Sequence, residues 1–345
     1  MAFHCVRTMS RTLTTEMCSH PRLPMISRKK IAFLIILCFP CAITVWFLVS
    51  NNDDFDLCYY CFFKDRNYFA LNLHYKKGHF TRVPEAHCKE SPPFLVLLVT
   101  TTHKQEEERM VIRDTWGKER LIHGKRVVTF FLLGSPADPS TDEDVSLPEE
   151  FNNYHDIIQK DFIDTYYNLT IKTLMGIDWV MNFCPQTTYI MKTDTDMFVN
   201  TIYLVELLLR KNQTTHFFTG ILKTNDSPIR HIFSKWYISK REFAGTKYPP
   251  FCSGTGYVFS VDVARRIYTI SLSIPFFKLE DVYIGMCLNK LKISLQELHT
   301  SEVFFASKPI FSVCTYRNLV TAHELKPQEI ALYWKALQQA QNESC

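Results

Sequence analysis

TYIMKTDTDMFVN occupies residues 188 to 200. Tyr189, Ile190 and Met191 form an apolar run that ends abruptly in Lys192, Thr193, Asp194, Thr195 and Asp196, and apolar chain resumes at Met197, Phe198 and Val199. Aspartate is depleted in strands, and a buried charge needs a partner or a metal ion. In extended chain, residues two apart share a face, roughly 6 to 7 Å apart. At that spacing one carboxylate can grip a divalent cation while the other reaches a neighbouring hydroxyl or a metal-bound water. A solvated loop with two surface aspartates is the competing reading.

Working outward, strand-like runs recur on both sides of the motif. Phe94 to Thr101, after Pro92 and Pro93, and Val127 to Gly134 read as buried parallel strands. Asp156 to Gln159 and Phe217 to Thr219 are shorter candidates. Between them, Gln105 to Arg113, Leu169 to Phe183, Tyr203 to Lys211 and Val282 to Leu291 have helical character, and Pro327 to Gln341 reads as a terminal amphipathic helix with Pro in its first turn. Residues 135 to 150 read as a loop, and residues 232 to 260 as irregular, aromatic chain. Alternating strands and helices predict an α/β fold with a mixed, mostly parallel sheet flanked by helices.

The chain has 345 residues, 46% hydrophobic, 14% aromatic and 21% charged, with a net charge of +4. That composition is globular, and no basic block points to nucleic acid. Ile31 to Val49 carries no charge and is long enough to span a bilayer as a helix. Residues 1 to 30 hold six basic residues and one acidic; just beyond the span, four acidic residues face two basic ones. The basic side stays cytosolic. The expected domains are a cytoplasmic tail at 1–30, a transmembrane signal anchor at 31–49, a lumenal stem at 50–91 and a lumenal catalytic domain at 92–345. Sequons at Asn168, Asn212 and Asn342 fit a lumenal body, and the one at Asn225 is weakened by Pro228. Eight of the 12 cysteines follow Ser50, where an oxidising lumen pairs most of them. Together these features predict a single-pass type II protein of the Golgi membrane.

Other residues carry candidate chemistry. Glu280 and Asp281 precede a helix, where carboxylates are favoured electrostatically; one of them as a capping residue and the other as a general base is the expectation. Gly254 and Gly256, in CSGTGY (residues 252 to 257), allow close backbone approach to a ligand, or mark a strand-entry turn. Arg109 and Arg113 either meet a diphosphate or form a buried ion pair. Trp116 reads as core. Trp236 and Tyr237 either stack on a sugar or pack internally.

Five segments carry a resemblance: RMVIRDTWG (109–117), DFIDTYYNLTIKT (161–173), KTDTDMFVN (192–200), YPPFCSGTGYVFS (248–260) and LEDVYIGMCL (279–288). In this order they resemble the β-1,3-glycosyltransferase family, and Lys-Thr-Asp-x-Asp resembles its β-1,3-galactosyltransferase branch. HDIIQKDFIDTYYNLTIKT (155–173) is similar to one member of that branch in particular. Thr195 stands where the family usually has serine, with its side chain expected to point away. The resemblance implies a two-layer fold of the glycosyltransferase A type, Mn²⁺, UDP-galactose as donor and inversion at the anomeric carbon. It implies galactose transfer to the 3-hydroxyl of a terminal N-acetylhexosamine, GlcNAc or GalNAc, on glycoprotein or glycolipid. It implies Asp196 as metal ligand, Asp194 beside ribose or a metal-bound water, His323 as a further ligand, Lys192 within the donor site and Asp281 as base, with Glu280 binding acceptor or orienting neighbours. It also implies disulfides Cys184–Cys252 and Cys287–Cys314. The rival readings are a UDP-GlcNAc-dependent enzyme and a non-catalytic glycan-binding or chaperone protein of the same fold.

Overall fold

The apolar run Leu95–Thr100 is buried on both sides, and its side chains alternate between two separate cores. Leu95, Leu97 and Val99 enter one, and Val96 and Leu98 the other. A strand covered on both faces has no polar side to show, so its sequence reads as a continuous hydrophobic run. The computed structural model describes residues 78–85, 87–136, 147–340 and 345. The tail, the apolar segment 31–49, most of the stem and Asn342 lie outside the described residues. Among the described residues no helix is long and apolar enough to cross a membrane.

The strands are β1 (Phe80–Arg82), β2 (Leu95–Thr100), β3 (Arg120–Ile122), β4 (Lys125–Ser135), β5 (Ile157–Ile163), β6 (Tyr189–Asp194), β7 (Phe198–Val199), β8 (Phe218–Lys223), β9 (Phe251–Ser260) and β10 (Thr321–Ala322). The helices are α1 (Glu106–Asp114), α2 (Leu147–Tyr154), α3 (Leu169–Phe183), α4 (Thr201–Lys211), α5 (Val261–Ser271), α6 (Glu280–Leu291), α7 (Val313–Arg317) and α8 (Pro327–Gln339), with a 3₁₀ turn at Tyr166–Asn168 before α3. The main sheet has eight strands in the order β1-β5-β4-β2-β6-β9-β8, with β3 paired to β4. Its centre, β5-β4-β2-β6, is parallel, and its flanks are antiparallel. β7 and β10 form a small second sheet.

Helices cover both faces. Ile112 of α1, Leu204 and Val205 of α4, and Ile330, Trp334 and Leu337 of α8 build one core with β7 and β10. Leu174 and Met175 of α3, Val263 and Ile267 of α5, and Val282, Ile284 and Leu288 of α6 build the other. The fold therefore has three layers, not the two expected. Trp116 is fully buried, as expected of a core residue.

The sheet also begins upstream of Pro92. β1 pairs with β5, and Cys88 is bonded to Cys184, so part of the expected stem belongs to the folded body. Among the described residues the disulfides are Cys88–Cys184 and Cys314–Cys345, in place of Cys184–Cys252 and Cys287–Cys314. Their Cα atoms stand 5.1 and 5.5 Å apart, within bonding reach. Cys252 on β9 and Cys287 on α6 are free thiols buried among apolar side chains. Burial pushes both thiols up, Cys287 to about 12, so neither is a ready thiolate.

Candidate active site

β6 carries the motif to the C-terminal edge of the parallel strands, where α/β sheets bind ligands. The strand ends at Asp194, and Thr195 and Asp196 form a turn. The two aspartates therefore do not share one strand face, as the extended spacing had implied. β2 runs beside β6 with Thr100 opposite Asp194. The Thr100 hydroxyl accordingly donates to Asp194 Oδ1 at 2.5 Å, and Lys192 Nζ reaches the same oxygen at 2.7 Å.

Asp196 is held differently. Its carboxylate is about half exposed and lies 3.1 Å from Nε2 of His323. His323 follows β10, which pairs with β7 two residues beyond Asp196, so the small sheet brings the end of the chain to the motif. Nδ1 of His323 faces the Ala306 carbonyl at 3.1 Å. A ring that donates from Nδ1 to a backbone oxygen presents the Nε2 lone pair, the usual arrangement of a metal-binding histidine. Burial alone would raise Asp196, but the hydrogen bond and charge of His323 outweigh it and hold the carboxyl below its ordinary range. The same bond raises His323. Among the described residues no group of three His, Cys, Asp or Glu side chains gathers around one point. Asp196 and His323 thus fit an ion that takes its remaining oxygens from a bound ligand, whereas one oxygen of Asp194 is already taken by Thr100 and Lys192.

Thr195 is buried, and its hydroxyl accepts from Gln105 Nε2 at 2.8 Å. Gln105 Oε1 in turn accepts from the Thr102 backbone N–H at 2.9 Å. That bond fastens the turn to the start of α1.

The second pair of carboxylates arrives through β9. β9 runs antiparallel to β6, with Tyr257 opposite Lys192 and Gly256 opposite Thr193. Gly254 and Gly256 thus lie inside a strand and not at its entry. A side chain at Gly254 would point at Asp281 and Glu280, with both within 3.6 Å of its Cβ. Glycine there leaves that space open above the carboxylates. The Gly254 N–H donates to Asp281 Oδ2 at 3.1 Å, and the Val282 N–H to Asp281 Oδ1 at 2.8 Å. Asp281 remains partly accessible, while Glu280 is buried behind it. The Tyr257 hydroxyl donates to Glu280 Oε1.

Lys192 joins the two halves. It is buried, donates to Asp194 and to the Gly254 carbonyl at 2.6 Å, and lies 3.8 Å from Glu280. Burial alone would lower it, but Asp194, Glu280 and Asp281 together raise it, so it stays cationic. One cation faces three carboxylates. Burial, reinforced by Asp281 and Asp194, pushes Glu280 up to about 7 against the pull of Lys192 and Tyr257. Burial also raises Asp281, opposed by the backbone donors of Val282 and Gly254. A partly accessible carboxylate with a raised pKa, fixed by two backbone N–H groups, is suited to accept a proton from a substrate hydroxyl. Glu280 is buried and bonded to Tyr257, and Lys192 is enclosed between the carboxylates that it bonds.

Arg109 and Arg113 bond inward, Arg109 also donating to the Thr102 carbonyl at 2.7 Å just beyond the end of β2. Arg109 makes a two-pronged bond to Glu150 at 2.7 and 2.6 Å, and Arg113 pairs with Glu150 at 2.7 Å and Asp156 at 2.7 and 2.8 Å. Both guanidiniums are consumed in a buried ion-pair network, the alternative to diphosphate binding. α2 supplies Glu150 from within the expected loop. Trp236 is about half exposed, so it is not core. Thr100, Tyr257 and the pair Tyr166 and Tyr167 were not singled out in the sequence; a threonine ending an apolar strand was the available signal for the first.

Two carboxylate pairs stand at the open edge of a parallel sheet, one beside a histidine and one at a helix start, an arrangement suited to acid–base chemistry and to stabilising charge. A sequence profile of the Galactosyltransferase family matches residues 107–299, and the chain belongs to that family, in its β-1,3-galactosyltransferase branch. It is 53% identical over 283 residues to human β-1,3-galactosyltransferase 5, covering 82% of this chain and 89% of the relative. The mouse protein of the same name is 53% identical over 291 residues, covering 84% and 93%. Mouse β-1,3-galactosyltransferase 2 is 45% identical over 260 residues, covering 75% of this chain and 62% of the relative. The type 5 proteins are the particular members that residues 155–173 resemble.

Proposed function

We propose that this enzyme transfers galactose from UDP-galactose to the 3-hydroxyl of a terminal N-acetylhexosamine, forming a β-1,3 linkage with inversion. The observation that carries the reading is the pairing of β6 with β9, which sets Asp194 across Lys192 from Glu280, next to Asp281. Asp281 takes the proton of the acceptor hydroxyl as its oxygen attacks the anomeric carbon from the face opposite UDP. The bond to the diphosphate breaks in the same displacement, so configuration inverts and no covalent sugar–enzyme species is needed. Lys192 keeps Asp194 and the Glu280 side chain in register, and Glu280, with its pKa pushed up to about 7 by burial, is part protonated near neutral pH and so lessens the negative charge beside the base. Asp196 and His323 would hold Mn²⁺, which supplies positive charge to the leaving diphosphate. Asp194 is assigned to ribose or a metal-bound water.

The type 5 and type 2 relatives are named as β-1,3-galactosyltransferases, which supports galactose over N-acetylglucosamine. Acceptors on glycoprotein and glycolipid both suit the reaction. The place of action is the Golgi lumen, with residues 31–49 as a type II anchor. The two disulfides suit an oxidising compartment, and Asn212 is exposed for glycosylation. The test is a donor screen with the full-length enzyme in detergent, with and without Mn²⁺. Galactose transfer that requires the ion is expected. Transfer from UDP-GlcNAc in place of UDP-galactose would overturn the donor assignment, and undiminished transfer in chelator would overturn the metal.

A further inference from the structure

Beside the carboxylates stands an aromatic group that the proposed chemistry does not use. Tyr166, Tyr167 and Trp236 are 45%, 52% and 46% exposed, yet they are locked together. Trp236 Nε1 donates to the Tyr166 hydroxyl at 3.0 Å, and the two tyrosine rings meet edge to face at 5.8 Å. The Lys235 ammonium lies 4.5 Å from the centre of the Trp236 ring and 6.0 Å from that of Tyr166.

Both supports of this group are rigid. Asp164, before the 3₁₀ turn, accepts from the Gly134 N–H at 2.9 Å and pairs with Lys172 at 2.6 Å. Asn168 donates to the Ile163 carbonyl at 2.8 Å, and Thr170 to the Phe277 carbonyl at 2.7 Å. On the tryptophan side, Arg230 donates to the carbonyls of Ile238, Phe243 and Gly245 at 2.7, 2.8 and 3.0 Å. The supports also fix where the platform stands. Lys172 donates to the Thr101 carbonyl, next to the threonine that holds Asp194, and Phe277 lies four residues before Asp281. The charges of Asp281 and Asp194 both act on the Tyr166 phenol. Its oxygen receives the tryptophan N–H, and among the described residues its own O–H meets no acceptor.

We propose that Tyr166 and Trp236 form the acceptor subsite: the indole face lies against the C–H face of the terminal N-acetylhexosamine, and the Tyr166 hydroxyl donates to an oxygen of that sugar. This rests on the reaction proposed above and adds which residues hold the acceptor. Exposed aromatic surface fixed in one geometry loses little conformational freedom when a ligand covers it, which is why such rings serve as binding faces. Tyr237 is less suited to this role because it is more covered than Trp236.

The experiment uses the full-length enzyme in detergent with UDP-galactose and the methyl β-glycoside of N-acetylglucosamine. Trp236→Ala and Tyr166→Phe should each raise the acceptor KM about tenfold, the loss of one stacking face or one hydrogen bond. The donor KM and the melting temperature should stay at wild-type values. A second readout is acrylamide quenching of indole fluorescence. Of the other four tryptophans, Trp116 and Trp179 are fully buried, Trp334 is 7% exposed and Trp46 belongs to the apolar segment 31–49, whose quenching the saccharide leaves unchanged in both proteins, so protection by the saccharide should be present in wild type and absent in Trp236→Phe. Unchanged acceptor KM in both variants, or a donor KM that rises as much as the acceptor KM, overturns the proposal. If wild type transfers no galactose but the saccharide still protects Trp236, the subsite stands and the donor assignment falls.

Discussion

Replacing Glu280 by Gln isolates the charge balance around Lys192. Glu280 is buried, with its pKa pushed up to about 7 from an ordinary 4.5, first by burial and then by the neighbouring carboxylates. Because the folded pKa lies above the unfolded one, the folded protein binds more protons between those values. Stability therefore falls as pH rises through that window. The penalty is absent below the unfolded pKa and complete above the folded one. Between pH 5 and pH 7.5 this one group should cost the wild type about 2 kcal/mol. Gln has the same shape and can still accept from Tyr257, but it does not titrate, so the variant should lack that part of the pH dependence. Urea unfolding of both proteins at pH 5 and pH 7.5 reads the effect as a difference of differences, in which changes unrelated to titration cancel. The variant should gain on the wild type by about 2 kcal/mol over that interval. Parallel stability profiles would mean that Glu280 does not titrate across this window, and the charge scheme of the site would have to be redrawn.

Other perturbations probe other parts. His323→Ala should raise the Mn²⁺ concentration for half-maximal transfer about tenfold or more, read by metal titration of activity; an unchanged midpoint removes His323 from the ligand set. Cys88→Ser should lower the melting temperature by about 10 °C, because the bond to Cys184 spans 96 residues and releasing such a loop costs about 4 to 5 kcal/mol. Reductant should then lower the variant less than the wild type, and equal responses would place the stabilisation elsewhere. Gly285→Ala puts a methyl 2.5 Å from Cβ of Phe251 and 2.9 Å from the Pro250 carbonyl. α6 must then back away from β9 at a cost of about 1 to 3 kcal/mol, and kcat should fall because the helix carries Asp281; wild-type melting and kcat would show that the contact yields freely.

The fully buried elements were the legible ones. Phe94 to Thr101 and Val127 to Gly134 announce β2 and β4 because neither strand has a solvent face, and Leu169 to Phe183 matches α3 end for end. β9 was missed because Gly254 and Gly256 read as loop. Those glycines belong to a strand whose open space above Asp281 is part of the site. α5 was missed beside it although Ser260 and Asp262 mark its start. The strand spacing of the two aspartates misled because the chain turns after Asp194, and that turn is fixed by Gln105, far away in sequence. The arginines could be read either way until α2 placed Glu150 against them. The cysteine partners depend on which elements meet, and neither spacing nor composition encodes that.

The pairing of β10 with β7 is only two residues long on each side, yet it binds the motif to a part of the chain made much later. The profile match ends at residue 299, so His323 lies beyond the matched stretch. A polypeptide emerging from the ribosome completes both carboxylate pairs and the lysine between them before the histidine exists. On the proposed assignment, a chain stopped or clipped before Thr321 keeps its base but has lost half of its hold on the ion. Such a chain also lacks α8, whose Ile330, Trp334 and Leu337 belong to the core beside the motif, so the same residues supply an ion ligand and part of the packing behind it.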